Sequence, residues 1–420
     1  MKRLPRGAIA WALYDWAASA YALCILAAFF PIAFETYWAA DLDPARETFW
    51  YGIFVSGASL IGALIAPILG SLADRGGSRK RWLGIFALVG IVGILGLTLV
   101  ARGHWVIAGL TFVVGTVGYY GASICYNSLL PEVSDKDSSH LVSGIGFAAG
   151  YLGGVLLFVA SILFVQDHER FGIGESMTAT HIVFVVAAIW WAIFTIPLLR
   201  RVPQQTPPAG AQPKILSSIW STLTAIRTQP QLLWFLIAYL FYQDGVNTVI
   251  SMASNYAKTL GFETSTVLET LVVAQLVGVP ATLLIAWLGQ RFGPRPFLFA
   301  GIGLYICIVT YGALMPTHAF TVAGMTLNPL LLLGALVGVG QGGIQSLSRS
   351  HFASLIPSER SASYFGFYNM LGQYASLIGP LLVGVTTRAT GNVRLGLVSL
   401  IVLFALGALS LWRSQRLASA

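Results

Sequence analysis

The sequence predicts an all-α membrane protein of twelve transmembrane helices, arranged as two pseudo-symmetric six-helix bundles. Three observations lead there. Of the 420 residues, 56% are hydrophobic and 10% charged, whereas a soluble domain carries about 25% charged residues. The apolar residues gather into runs of a length that covers the hydrocarbon core, ~20 residues at ~1.5 Å rise. Short stretches also repeat between the halves of the chain. Leu72-Ala-Asp74-Arg75-Gly-Gly77-Ser-Arg79 aligns with Leu288-Gly-Gln290-Arg291-Phe-Gly293-Pro-Arg295, Ser128-Leu-Leu-Pro131 with Ser354-Leu-Ile-Pro357, and Asp15 with Asp244.

In chain order, the run 9–34 follows a basic start and imitates a signal peptide, but it is too long for one and is expected to remain as the first span. Runs 48–73 and 82–101 flank a Gly-rich turn too short to fold alone and too charged to enter lipid. Run 105–130 is followed by 141–165, where Gly150-x-x-x-Gly154 lets helices approach closely. Run 180–199 closes a first bundle, 1–199. Residues 200–228 read as a cytoplasmic linker, opening with the flexible composition Pro203, Gln204, Gln205, Pro207, Pro208 and Gly210. Within it, 214–227 puts Ile215, Ile219, Trp220, Leu223 and Ile226 on one helical face, opposite Ser217, Ser221 and Thr224, the pattern of an interfacial helix. The second bundle, 229–420, holds the runs 229–252, 265–288, 296–315, 327–355, 362–387 and 393–412. In the eleventh run, Gly379-Pro380 and Gly384 favour bending.

An even number of spans puts both termini on one side. Eighteen of the 24 Lys and Arg residues fall on that side and six on the other, so both termini are expected in the cytoplasm. The net charge of +8 is then a topology signal, and no nucleic-acid partner is expected. Cys24, Cys125 and Cys307 sit far apart inside apolar runs, with neither metal spacing nor a disulfide framework. No phosphate-cradling loop or nucleophile elbow appears. The reading is a non-enzyme without cofactor or metal.

The turn Gly70-x-Leu72-Ala73-Asp74-Arg75-x-Gly77-x-Arg79-Lys80, its second copy and the six-plus-six layout resemble the major facilitator superfamily over essentially the whole chain. Two stretches resemble its vacuolar amino-acid effluxer branch, related to fungal autophagy permeases and to bacterial permeases. One is Trp11-Ala-Leu-Tyr14-Asp15-Trp16-Ala-Ala-Ser19-Ala-Tyr21; the other runs from Gly340-Gln341-Gly-Gly-Ile-Gln345-Ser-Leu-Ser348-Arg349-Ser350 through Ile356-Pro357 to Tyr364-Phe-Gly366-Phe-Tyr368-Asn369. Tyr242-Gln243-Asp244-Gly245 adds to them. The resemblance implies a secondary transporter in a bacterial inner membrane, working by alternating access around a site between its halves. It also implies a conformational role for the basic turn.

Asp15 and Asp244 stand out because a carboxylate in hydrocarbon costs several kcal/mol and therefore faces a bundle interior. They are expected, with Tyr14, Gln243 and Asn247, at a proton-coupling or substrate-amine site; the structural alternative is a hydrogen bond to a neighbouring helix. Gln341, Gln345, Ser348 and Arg349, three and four apart, share one helical face. Arg349 can hold a carboxylate bidentately, pair with Glu132 or Glu359 at a gate, or anchor at the interface. Tyr119, Ser123, Tyr126 and Asn127, with Tyr368 and Asn369, offer rings with polar tips to a cavity, or else pack. Gly70, Asp74, Arg75, Gly77, Arg79 and Lys80 form the expected gate, with Asp74 capping a helix and the cations meeting carboxylates. Because Gln290 stands where Asp74 stands in the first copy, that latch is expected to be one-sided. The expected partners are the bilayer, a small polar substrate such as an amino acid, and a coupling proton; oligomeric state is not encoded. The alternatives are a drug-type efflux permease, a non-transporting sensor and a lipid scramblase.

Overall fold

The computed structural model describes residues 4–75, 78–203, 214–322 and 325–417. Gly77 of the expected gate, Lys2 and Arg3, and the linker residues Gln204, Gln205, Pro207, Pro208 and Gly210 lie outside the described residues.

Among the described residues, twelve long helices follow the apolar runs closely. They are Ala8–Trp38, Arg46–Asp74, Arg79–Leu97, Trp105–Ser128, Ser139–Gln166 and Ser176–Arg201 in the first half. The second half has Pro230–Thr259, Thr264–Phe292, Pro294–Leu314, Pro329–Leu355, Ser358–Thr390 and Val393–Arg416. We number them as the first to twelfth spans. Eleven of them are long and apolar enough to cross a membrane. The seventh, Pro230–Thr259, has the length but not the apolar content, because Gln243, Asp244 and Asn247 lie at its middle.

Local chemistry explains most of the ends. Asp43 accepts from the Arg46 N–H at 3.1 Å and caps the second span; Asn328 accepts from Leu330 N–H at 3.0 Å and caps the tenth. The first span is wound with wide π-type turns at Tyr21–Phe29 and Phe34–Trp38, on either side of Pro31, whose missing N–H interrupts the ordinary ladder. The ninth and tenth spans are joined by an antiparallel hairpin, β1 (Phe320–Val322) and β2 (Met325–Leu327).

Packing repeats with an offset of six spans. The first span lies against the sixth and the seventh against the twelfth; the second and third lie against the fourth, the eighth and ninth against the tenth. Close approach comes from small residues. A Cβ at Gly93 would stand 2.5 Å from the Gly115 Cα, so the third and fourth spans touch backbone to backbone. Large apolar side chains on the outward faces, such as Leu64, Leu88, Leu110, Leu284 and Leu409, are exposed, as a lipid-facing surface requires.

The chain gathers into two compact units. One comprises Met1–Asp135, Ala149–Ile219 and Pro357–Met370; the other Lys136–Ala148, Trp220–Ile356 and Leu371–Ala420. Each unit therefore includes a short helix end, 357–370 or 136–148, that belongs by sequence to the other half.

The helix Ile215–Thr228 forms where periodicity predicts it. It buries Ser218, Thr222 and Ile226 and leaves Leu216 81% and Trp220 70% exposed. Ser218 and Thr222 are small enough to sit against protein, and the Ser218 carbonyl accepts from Arg360 at 3.4 Å. The bulky apolar side chains are left for another medium.

Candidate functional site

In the first unit, the basic turn is organised around two buried side chains. Arg79 is 5% exposed and donates through Nε (3.0 Å) and Nη2 (2.8 Å) to Asp74 Oδ1, and through Nη1 to Glu132 at 2.8 Å. Its Nη2 also reaches the carbonyls of Ser358 (2.9 Å) and Glu359 (3.0 Å). Asp74 in turn accepts from Ala362 N–H at 3.1 Å, and from both the N–H and the hydroxyl of Ser363 at 2.7 Å. The carboxylate thus caps the helix Ser361–Tyr374 at its positive end, which charge and free N–H groups both favour. Gly70, one turn earlier, has no side chain because the Ala362 carbonyl occupies the place of its Cβ. Lys80 donates to the carbonyls of Leu199 (3.0 Å) and Val202 (2.9 Å), at the end of the sixth span. Arg75 is half-buried beside Asp74 in sequence.

The second copy of the turn does the same work without charge. Gln290 Oε1 accepts from the N–H of His140 at 2.9 Å and of Leu141 at 3.4 Å, while its Nε2 donates to Lys136 O at 3.1 Å. A neutral amide thus caps the fifth span as Asp74 caps the eleventh. Both turns therefore cap a helix end, one through a carboxylate and one through an amide, because an amide oxygen accepts N–H bonds without needing a charge.

Arg349 belongs to this second cap. It is 3% exposed, donates to Ser143 Oγ at 3.0 Å and Ser143 O at 2.8 Å, and lies 4.2 Å over the Phe147 ring. Glu132, considered as its partner, is held by Arg79. His140 Nδ1 shares a 2.7 Å hydrogen bond with Ser350 Oγ, and Ser143 Oγ donates to Ser346 O at 2.8 Å. Ser143, Phe147, His140 and Ser350 escape the sequence reading. The one available signal is the match of Gln290 to Asp74, which asks what the second turn caps.

Further into the first unit, Asp15 is half-buried and accepts from the Tyr126 hydroxyl at 3.1 Å. Tyr126 stacks on Trp11 (centroids 4.4 Å apart) and tilts against Tyr14 (5.0 Å), and its carbonyl accepts from Trp11 Nε1 at 3.0 Å. On the fourth span Tyr119, Ser123 and Asn127 are half-buried at intervals of four residues. Asn127 donates to Asn369 Oδ1 at 3.1 Å, Ser123 to the Tyr119 carbonyl at 2.8 Å, and Tyr119 stacks on Tyr21 at 5.0 Å. Tyr368 is buried edge-on to Phe365, 5.6 Å between centroids.

In the second unit, only Gln341 and Gln345 are half-buried within 341–350, and neither makes a side-chain hydrogen bond among the described residues. The seventh span differs. Asp244 is 0% exposed and accepts from the N–H groups of Ile378 (3.1 Å) and Gly379 (2.9 Å); Gln243 Nε2 donates to Asn247 Oδ1 at 2.8 Å. Asp15 and Asp244, paired by sequence, thus sit in unlike surroundings: one half-buried beside a phenol, one fully buried against backbone. Among the described residues no group of His, Cys, Asp and Glu is placed to hold a metal ion.

Residues 51–418 match the family described as "Vacuole effluxer Atg22 like". The chain is 35% identical over 412 residues to the uncharacterised MFS-type transporter YxiO of Bacillus subtilis, covering 97% of this chain and 94% of that one. It is 25% identical to Autophagy-related protein 22 of Coccidioides immitis, covering 94% and 84%. Among solved structures, the proton:xylose symporter XylE aligns with a TM-score of 0.72 at 14% identity over 97% of this chain and 94% of that one. The transporter FucP in its outward conformation aligns with 0.72 at 15% over 97% and 98%. At such identity the structural likeness speaks for the fold.

Proposed function

Given that the chain belongs to the Atg22-like family of the major facilitator superfamily, we propose that it is a proton-coupled secondary transporter, moving a small polar metabolite of the amino-acid class by alternating access. It resides in a bacterial inner membrane with both termini in the cytoplasm, as the distribution of Lys and Arg favours. The observation that carries the site is Asp15. A half-buried carboxylate inside a membrane span is costly unless it meets polar partners, water or a ligand, and Asp15 is half-buried and accepts from the Tyr126 hydroxyl. It is suited either to binding a substrate ammonium or to taking and releasing a proton. Within the second unit, the half-buried amides Gln341 and Gln345 offer uncharged donors and acceptors of the kind a zwitterion uses.

Counterflow in proteoliposomes tests this reading, using radiolabelled amino acids, sugars and peptides at two pH values. Accumulation of an amino acid that depends on pH, with the dependence lost in Asp15→Asn, is the expected result. Exchange of lipophilic cations with no amino-acid flux would instead select the drug-type reading.

A further inference from the structure

The eleventh span is broken, and the seventh span holds both broken ends. Its first piece, Ser361–Tyr374, finishes with Ala375 N–H on Leu371 O at 2.8 Å and Leu377 N–H on Tyr374 O at 3.2 Å; the second piece starts at Ile378 and runs to Thr390. Pro380 accounts for the interruption. It has no N–H to give, and its ring excludes the carbonyl four residues earlier, that of Ser376. The groups set free are taken up by side chains three residues apart. Asn247 Nδ2 donates to Ala375 O at 2.8 Å, Gly372 O at 3.3 Å and Ser376 Oγ at 3.1 Å. Asp244 accepts from Ile378 and Gly379, the first N–H groups of the second piece. Gly379 is the residue that admits the carboxylate, since a Cβ there would stand 2.8 Å from Asp244 Oδ1.

The setting is uncharged. Thr248 donates to Asp244 Oδ1 at 3.3 Å from its own helix. The titratable groups nearby are phenols: Tyr239 and Tyr242 on the seventh span, with the Tyr242 hydroxyl bonded to Ser348, and Tyr305 of the ninth, stacked on Phe404 of the twelfth beside Gly245. Among the described residues no cation is bonded to Asp244. Its hydrogen-bond partners are therefore the backbone N–H groups at a helix N-terminus and the Thr248 hydroxyl.

We propose that Asp244 and Asn247 form a clamp on the break in the eleventh span, and that a proton on Asp244 opens it. An ionised carboxylate accepts from Ile378, Gly379 and Thr248 together; the protonated group loses both the charge that faces the helix end and part of its accepting capacity. Released, Ile378–Thr390 can bend about residues 375–377. Asp244 is then a positioning residue acting through the eleventh span, distinct in role from Asp15. The use of such a clamp rests on the transporter reading; its existence does not.

Hydrogen exchange of the purified full-length protein in lipid nanodiscs, read on peptides spanning 371–382, tests it without any substrate. Protection factors corrected for intrinsic exchange are expected to fall about tenfold or more from neutral to acid pH in the wild type, as charge-assisted bonds are lost. Asp244→Asn, whose amide still accepts but carries no charge, is expected to give pH-independent protection at the level of the wild type at acid pH, and Asp244→Glu to restore the pH dependence. Peptides from Ala8–Trp38 serve as the folding control. A flat wild-type profile, or Asp244→Asn as protected as the wild type at neutral pH, would overturn the clamp. The wild-type profile decides alone if the variant does not fold. A flat profile with amino-acid flux intact would sink the clamp only; an intact profile without flux would sink the transport reading only.

Discussion

At the scale of single residues, the same ion pair means different things in different places. Arg79 sits between Asp74 and Glu132 with side-chain exposures of 6%, 10% and 4%. Arg170 pairs with Asp167 at the same 2.8 Å but is 80% exposed. Removing the buried cation takes the Arg79 charge away from two largely buried carboxylates, a loss of about 3–5 kcal/mol, whereas an exposed pair contributes about 0–1 kcal/mol. Arg79→Gln should therefore lower the unfolding temperature in detergent far more than Arg170→Gln, and equal shifts would show that the buried network adds nothing. Asp74→Asn should fall between them, because its amide oxygen still accepts from Ser363 and a net hydrogen bond is about 1 kcal/mol. The residue types of this cluster were legible in the sequence, since a Gly-rich basic turn with one acid demands a local partner. The sequence offers Glu132 and Glu359 alike as gate acids for Arg349; only packing assigns Glu132 to Arg79.

At the scale of elements, small residues set where helices meet. Gly70 lies where a Cβ would strike the Ala362 carbonyl, so Gly70→Val should separate the second span from the Ser361–Tyr374 helix and abolish the Asp74 cap. Loss of transport with retained expression, together with faster hydrogen exchange at 361–364, is the expected outcome; normal exchange there would show that the contact tolerates bulk. The connecting helix gives a second prediction. Leu216 and Trp220 are exposed and Ser218 is buried on the same helix, an arrangement suited to the lipid headgroup zone. A nitroxide at position 220 should be quenched by lipid-soluble oxygen and one at 218 immobilised. Equal accessibility to an aqueous relaxant at both would place the helix in water. Periodicity foresaw this helix but not its inward face, since small hydroxyl residues can pack against protein as readily as apolar ones.

At the scale of the whole molecule, the repeated pairings of first with sixth and seventh with twelfth spans extend the two-fold resemblance already present in the turn motifs. The crossing number carries a testable consequence. The seventh helix is less apolar than its eleven companions, yet twelve crossings put both termini on one side and eleven would put them on opposite sides. Tags at the two ends, probed with protease in right-side-out vesicles, should both be protected. Exposure of one end alone would take Pro230–Thr259 out of the membrane.

The sequence by itself determined the membrane class, the spans and the six-plus-six repeat, because a bilayer imposes length and apolarity on each segment independently of its neighbours. It also exposed Asp15 and Asp244 as a matched pair, since acids within apolar runs are conspicuous. Tertiary structure decided what each acid does. Asp15 is half-buried and meets a phenol; Asp244 meets the ends of a helix that Pro380 interrupts. That difference depends on which backbone passes within hydrogen-bonding distance. Hydrophobic periodicity carries no record of such contacts across more than a hundred residues of chain.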